Sequence, residues 1–193
     1  MFLSHRHCRR SLGFTLIEVM AVSGIMSSLA SQGGYHYAID KANEVKGVNN
    51  LKQIYMLIQA QAMGEGMPAA AFYPKGDPKK DPQSILRLLQ GASPELFVSP
   101  FAAEGLKQKG LTFVWNDTVN GKDPGLLKQD TWLLIDLAAF SADPSVPKPK
   151  KYLVLYADGR SLAIDTLPAD IDKAVKEAQG KLESAQPKPK QEK

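Results

Sequence analysis

A single apolar run near the amino end restricts the fold of this chain more than any other feature. Phe14–Gly34 is predominantly apolar, and Glu18 is its only ionised side chain. A helix of about 20 such residues is just long enough to cross a bilayer. The preceding segment, Met1–Gly13, is basic and contains no acid. Because basic flanks stay on the cytoplasmic side, the sequence predicts a single membrane span with a cytoplasmic amino end.

The same helix is predicted to continue beyond the membrane, because no helix-breaking residue follows until Gly64 and Pro68. Over 35–63 the apolar residues recur at steps of three and four, which is typical of an amphipathic helix. These residues are Ala42, Val45, Val48, Leu51, Ile54, Leu57, Ile58 and Ala62. We therefore predict one continuous helix from Phe14 to Met63, embedded in the membrane over 14–34 and amphipathic over 35–63.

The following segment, 64–185, has the pattern of a small globular domain. Its sequence "DPQSILRLLQG" predicts a short helix with Asp81 as N-cap, Pro82 at the first position and Gly91 as terminator. A last helix is predicted for "LPADIDKAVKEAQGKLESA". The final residues, 186–193, are rich in proline and lysine and are expected to form a solvated tail.

Between these helices, apolar runs predict a small antiparallel sheet. The three strand-like runs are Leu111–Trp115, Thr131–Leu137 and Tyr152–Tyr156. After the third run, Asp158-Gly159 predicts a hairpin turn into a further strand, "RSLAI". The predicted fold class is α+β: a long N-terminal transmembrane and amphipathic helix whose outer half packs on a small antiparallel sheet.

The residues around the start of the apolar run resemble a known processing signal. "GFTLIEVM" after a short basic leader is similar to the cleavage site of type IV pilins and type II secretion pseudopilins. The resemblance implies that a prepilin peptidase cuts between Gly13 and Phe14 and methylates the new amino terminus of Phe14. It also implies a pilin-like fold and a bacterial inner-membrane location, with the C-terminal domain in the periplasm. The implied partners are the peptidase, the assembly platform, and other pilin-like subunits in a secretion pseudopilus or pilus-like filament.

Physical chemistry supplies a reason for the lone acid in this run. A carboxylate or an ammonium in lipid costs a few kcal/mol unless it is compensated. In a staggered stack of subunits, Glu18 of one subunit can pair with the Phe14 ammonium of its neighbour, which would also set the register between apolar helices. We therefore expect Phe14 and Glu18 to carry assembly.

Other interpretations of the amino end remain open. Thr15 and Glu18 together also form a capping box, which explains the acid locally. Two features are typical of export signals. Arg9-Arg10 in the basic start resembles a twin-arginine motif, and small residues before and at Ala30 resemble a cleavage site. The alternatives to a secretion pseudopilin are thus a minor pilin for DNA uptake or adhesion, or an exported soluble binding protein cleaved after Ala30.

A weaker resemblance extends into the globular domain. "NNLKQI" (Asn49–Ile54) and "LYADG" (Leu155–Gly159) look like parts of the pseudopilin-like subfamily named for a His-x9-Asp-Gly signature. Two positions depart from that pattern. Lys148 stands in the place of the histidine, and Ser99 stands where a cysteine is expected.

Few residues of this chain point to catalysis. Cleavage of the leader would remove Cys8, and His36 would remain as the single histidine, placed just after the apolar run. Neither a P-loop, a Rossmann fingerprint nor zinc spacing is present. We therefore expect that the chain is not an enzyme and needs no cofactor.

One loop contains several oxygen ligands and is a weak candidate for calcium. Its residues are Asn116, Asp117, Asn120 and Asp123, which do not match EF-hand spacing. The formal charge of +4 is distributed with acids and bases mixed between the two ends of the chain. That distribution lacks the clustered basic face typical of nucleic-acid binding, so no nucleic-acid partner is expected.

Overall fold

A computed structural model describes residues 34–89, 91–140, 149, 151–169 and 171–173. The chain divides into two compact units, residues 1–42 and 43–193. Of the first unit, residues 34–42 are described. They are helical, and Tyr35 and Tyr37 are exposed.

Helix α1 extends from Gly34 to Glu65. Leu51, Ile54 and Ile58 are fully buried on one side of it, so most of the predicted apolar stripe is confirmed. The prediction is wrong for two members of the stripe, Ala42 and Val45, because both residues are exposed. The opposite side carries the exposed apolar residues Val45, Met56 and Met63. The contrast between the two faces of α1 is therefore weaker than the sequence pattern suggested.

The end of α1 lies two residues beyond the predicted Met63. Gly64 does not stop the helix, because a glycine in helical conformation costs only about 1 kcal/mol. The helix stops at Gly66, which has a φ of 77° and whose N–H donates to the Ala62 carbonyl at 3.2 Å. Glycine accepts this left-handed conformation without a steric penalty, which makes it the usual helix terminator.

The sheet is a four-stranded antiparallel meander in the order β1-β2-β3-β4. Its strands are β1 (Phe113–Trp115), β2 (Trp132–Asp136), β3 (Tyr152–Tyr156) and β4 (Ser161–Ile164). β3 coincides with the predicted run, and the others are shorter than predicted by one or two residues. The α+β class with a small antiparallel sheet is therefore confirmed.

α1 packs against β3 at a glycine. Gly47 is buried, and a Cβ atom built on it would lie 2.4 Å from Cδ1 of Leu153. A larger residue at this position would have to displace the Leu153 side chain. Near the same place, Lys151, directly before β3, forms an ion pair with Glu44 of α1 at 2.9 Å.

Both faces of the sheet are covered, although the sequence analysis predicted only the layer formed by the helix. The face toward α1 buries Phe113, Trp115 and Leu153, among others. The other face buries Val114, Ile135, Tyr152, Val154 and Tyr156 against Phe140 and Ile171. Phe140 belongs to a 3-10 helix, Leu137–Phe140, that directly follows β2.

The predicted short helix begins later than expected. α2 covers Ile85–Leu88, with Ser84 at its N-cap position. The predicted cap, Asp81, instead accepts a hydrogen bond from the Gln83 N–H at 2.9 Å and stabilises a turn. Aspartate side chains often bond to the backbone two residues ahead, and this local turn competes with helix initiation.

Four further short helices complete the described domain. They are α3 (Glu104–Lys107) and the 3-10 helices Pro94–Phe97, Asp117–Val119 and Pro124–Leu126. Of the predicted last helix, residues 167–169 and 171–173 are described; 169 and 171–173 are helical, whereas 167 and 168 are not. The tail 186–193 lies outside the described residues.

Candidate functional site

The predicted processing and assembly residues Gly13, Phe14 and Glu18 lie outside the described residues, as do residues 14–33 of the predicted span. Within the described residues, no helix combines the length and the apolar content that crossing a bilayer demands. His36 is described and exposed, and its ring lies edge-on to that of Tyr35 with centroids 6.2 Å apart. The candidate sites whose geometry the structure describes therefore belong to the globular domain.

The loop predicted as a weak calcium candidate is held together by its own side chains. Asn116 is buried; its Oδ1 accepts from the Thr118 N–H, and its Nδ2 donates to the Trp132 carbonyl at 2.8 Å. Asn120 Oδ1 accepts from the Trp115 indole N–H at 2.7 Å, and its Nδ2 donates to the Ala70 carbonyl. Both asparagines thus fix the loop against the sheet.

The remaining two candidate ligands of the loop are exposed. Asp123 Oδ1 accepts from the Gly125 N–H at 2.8 Å and caps a 3-10 turn, while Asp117 is exposed. In the part of the chain that the structure describes, no three Asp, Glu, His or Cys residues are grouped to hold a metal. Because calcium would have to displace the hydrogen bonds of both asparagines, this donor set does not fit the ion well.

The Asp158-Gly159 turn is the hairpin that the sequence predicted, and it is attached to α1. The Gly159 N–H donates to the Tyr156 carbonyl at 3.0 Å, and Gly159 has a φ of 84°. Tyr55 of α1 donates its hydroxyl proton to the Ala157 carbonyl at 3.1 Å. A Cβ on Gly159 would lie 2.7 Å from Cε1 of Tyr55. Glycine is therefore required here for its conformation and for its small size.

The outer side of this turn carries a compact charged group. The Arg160 guanidinium forms an ion pair with Asp158 and lies over the Tyr156 ring, 5.0 Å from its centroid. Partial burial raises the pKa of Asp158. The hydrogen bonds from the Arg160 N–H and side chain, and the charge of Arg160, lower the pKa by a larger amount, so that it lies below its usual value. The ion pair and the ring contact thus group Tyr156, Asp158 and Arg160 on one side of the turn.

A buried carboxylate, which the sequence analysis did not single out, lies at the end of β2. Asp136 is 2% exposed, and its Oδ2 accepts from the Leu153 N–H of β3 at 2.6 Å. The Ser99 side chain also donates to this carboxylate. Burial raises the pKa of Asp136 to about 7, although both hydrogen bonds act in the opposite direction.

Ser99, at the position where the resemblance led us to expect a cysteine, belongs to the same polar cluster. It is fully buried, and its N–H donates to Oγ1 of Thr112 at 2.6 Å. Thr112 in turn donates to the Phe97 carbonyl, and its own carbonyl accepts from the Leu137 N–H at 2.8 Å. The cluster of Ser99, Thr112 and Asp136 thus connects the 97–101 segment to strands β1, β2 and β3.

Comparisons with protein-family models, with characterised proteins and with solved structures found no match. The interpretation of these sites therefore depends on their geometry.

The geometry of the Asp136 cluster indicates a structural role. A catalytic carboxylate must come within hydrogen-bond distance of a substrate. Asp136 is closed off from solvent, and its two hydrogen bonds go to the protein itself. The one sequence signal for it is an acid that interrupts the apolar run "TWLLIDL".

Proposed function

We propose that this chain is a pilin-like structural subunit, a pseudopilin that is cleaved by a prepilin peptidase and polymerised into a type II secretion pseudopilus or a related filament. Its proposed location is the bacterial inner membrane, as a single-pass protein with a cytoplasmic amino end and a periplasmic domain. From there it would enter the filament through the assembly platform. The proposed role is mechanical and requires no catalysis.

The observation that carries this proposal is the order of two features along the chain. The "GFTLIEVM" segment, with its lone acid, ends at Met20, and thirteen residues separate it from Gly34, where α1 begins. The second half of α1 packs on a small antiparallel sheet. An apolar helix followed by a helix-on-sheet domain is the arrangement that the resemblance implies.

The outward face of α1 supports assembly through helices. Met56 and Met63 are 62% and 87% exposed on this face, and Val45 is exposed on the same side. These three apolar side chains are therefore available for contact with another protein. In a filament, neighbouring subunits would cover such a face.

Processing provides the first test. Expressed together with a prepilin peptidase, the chain is expected to lose residues 1–13 and to start with N-methylated Phe14, as read by mass spectrometry of the intact protein. Gly13→Leu places a bulky side chain at the scissile bond and is expected to leave the leader attached. A mature protein that starts at Ser31 would instead support an exported soluble protein, and an uncut, working protein would contradict the proposal.

Assembly provides the second test. Removing one partner of a buried ion pair costs about 3–5 kcal/mol, so Glu18→Ala is expected to reduce filament yield by more than about tenfold while membrane insertion is unchanged. Thr15→Ala is the matched control, because it removes the capping hydroxyl and keeps the acid. Yield is measured by electron microscopy and by sedimentation of sheared filaments. A larger loss in Thr15→Ala than in Glu18→Ala would assign the role of the acid to capping.

The alternative function, a minor pilin for DNA uptake or adhesion, predicts a basic surface on the globular domain. Basic side chains do line a concave surface of this domain, far along the chain from the processing site. Binding of duplex DNA to that surface would favour this alternative.

A further inference from the structure

Two shallow depressions adjoin each other on the globular domain and share one lysine. The first, of ≈ 450 Å³, is lined by Leu86, Pro94, Arg87 and Lys79. The second, of ≈ 470 Å³, is lined by Tyr73, Pro74, Lys75, Lys109 and again Lys79. We refer to the two depressions together as the basic groove.

The cations of the groove have no acidic partner within the described part of the chain. Lys75, Lys79, Lys109 and Arg87 are exposed, and none of them forms an ion pair there. The one acid in the lining, Asp77, already accepts from the Lys79 N–H at 3.0 Å and lies 3.9 Å from the Lys80 ammonium. The groove therefore presents an excess of positive charge.

The groove has a fixed shape, because its walls are attached to the core. The Tyr73 hydroxyl donates to the Leu111 carbonyl at 3.1 Å, and Pro74 and Pro78 are buried. The Lys79 stem lies across Gly110, where an added Cβ would be 2.7 Å from its Cε. A preformed surface binds a ligand without the entropy loss of ordering itself.

We propose that the basic groove binds an acidic, extended segment of a partner protein. A chain that alternates carboxylate and apolar side chains matches both the cations and the apolar side chains of the lining, Leu86 and Pro94 in one depression and Tyr73 in the other. This interaction does not depend on filament assembly, so it can be tested independently of the proposed function.

Two other classes of partner fit the groove less well. Single-stranded nucleic acid requires exposed aromatic rings for stacking, whereas the one aromatic ring in the lining, Tyr73, is half-buried with its hydroxyl bonded. A lipid surface requires a flat or protruding site, whereas this site is concave.

The test measures binding of a fluorescein-labelled peptide of alternating glutamate and leucine to the detergent-purified full chain, by fluorescence anisotropy. Lys75→Glu/Lys109→Glu is expected to weaken binding about tenfold, because each reversal replaces attraction by repulsion. Lys122→Glu/Lys128→Glu is the matched control: it makes the same change of net charge at two exposed lysines outside the groove and is expected to change binding less than about twofold. Lys79→Met keeps the stem over Gly110 and removes only the charge, so a loss of about threefold is expected.

Several outcomes would overturn the proposal. They are equal weakening in the two double variants, equal affinity for a glutamine-leucine peptide, or no binding of the glutamate peptide by the wild-type protein. Tighter binding of duplex DNA, or of phosphatidylglycerol vesicles, with the same dependence on Lys75 and Lys109 would assign the groove to that other partner. Circular dichroism of each variant establishes that the fold is intact.

Discussion

Asp136→Asn is expected to make the globular domain more stable than the wild type at about pH 8, by an amount on the order of 4 kcal/mol. The reason is that the pKa of Asp136 is about 7 in the folded protein and 3.8 in an unfolded chain, and each unit of difference corresponds to about 1.4 kcal/mol. Asparagine has nearly the same shape and keeps an oxygen that can accept from the Leu153 N–H.

The raised pKa of Asp136 also determines how the stability of the wild type changes with pH. Below about pH 4 the carboxyl is protonated in both states, so its ionisation does not affect the free energy of unfolding. From about pH 4 to pH 7 the unfolded chain ionises while folded Asp136 stays neutral, and wild-type stability falls as the pH rises. Above about pH 7 Asp136 is ionised in both states, so the folded protein carries a buried charge and the free energy of unfolding stays at its lowered value.

The measurement is urea unfolding at a series of pH values, followed by tryptophan fluorescence. Trp115 and Trp132 are both buried in the sheet and report its unfolding. Asp130→Asn removes a carboxylate from an exposed position and controls for the loss of one charge. A constant difference between wild type and Asp136→Asn over the whole pH range would contradict the proposed burial of a titrating carboxylate.

Gly159→Ala is expected to destabilise the domain by about 2–4 kcal/mol. Two costs add at this position. An alanine at a φ of 84° is strained, and its Cβ would lie 2.7 Å from Cε1 of the Tyr55 ring. The ring cannot move away freely, because its hydroxyl is bonded to the Ala157 carbonyl of the same turn.

Two other glycines separate these costs. Gly121 has a φ of 67° with nothing within 4 Å of an added Cβ, so Gly121→Ala is expected to cost only the conformational strain, about 1–2 kcal/mol. Gly76 has neither feature, and Gly76→Ala is expected to change stability by less than about 0.5 kcal/mol. Equal costs at all three positions would refute the explanation.

A double-mutant cycle tests the contact itself. Once Tyr55→Ala has removed the ring, Gly159→Ala is expected to cost no more than Gly121→Ala does, with a coupling energy of about 1–2 kcal/mol. Additive effects would show that the turn and α1 are independent. All of these variants are compared by the same urea unfolding.

The sequence alone predicted those elements whose pattern is local. β3 was located at Tyr152–Tyr156 by its apolar run, and the hairpin by Asp158-Gly159, since both signals depend only on neighbouring residues. The short helix was misplaced because Asp81 can cap a helix or form a turn, and the local sequence does not decide between these.

The second face of the sheet is covered by segments that were not predicted from the sequence. In β2 and β3 every residue is buried, and their sequences do not alternate between apolar and polar residues. An uninterrupted apolar strand is typical of a sheet covered on both sides. This signal was present in the sequence, but the segments that provide the cover, around Phe140 and Ile171, could not be identified without the tertiary structure.

The candidate sites divide in the same way. The proposed processing and assembly residues depend on a contiguous stretch of chain, so Gly13, Phe14 and Glu18 were found by their spacing alone. The Asp136 cluster and the basic groove each bring together residues that are far apart in the chain: Asp136 meets Ser99 and Leu153, and Lys79 lies beside Lys109. Side-chain burial and the grouping of charges depend on how distant segments pack, and therefore only the tertiary structure decided them.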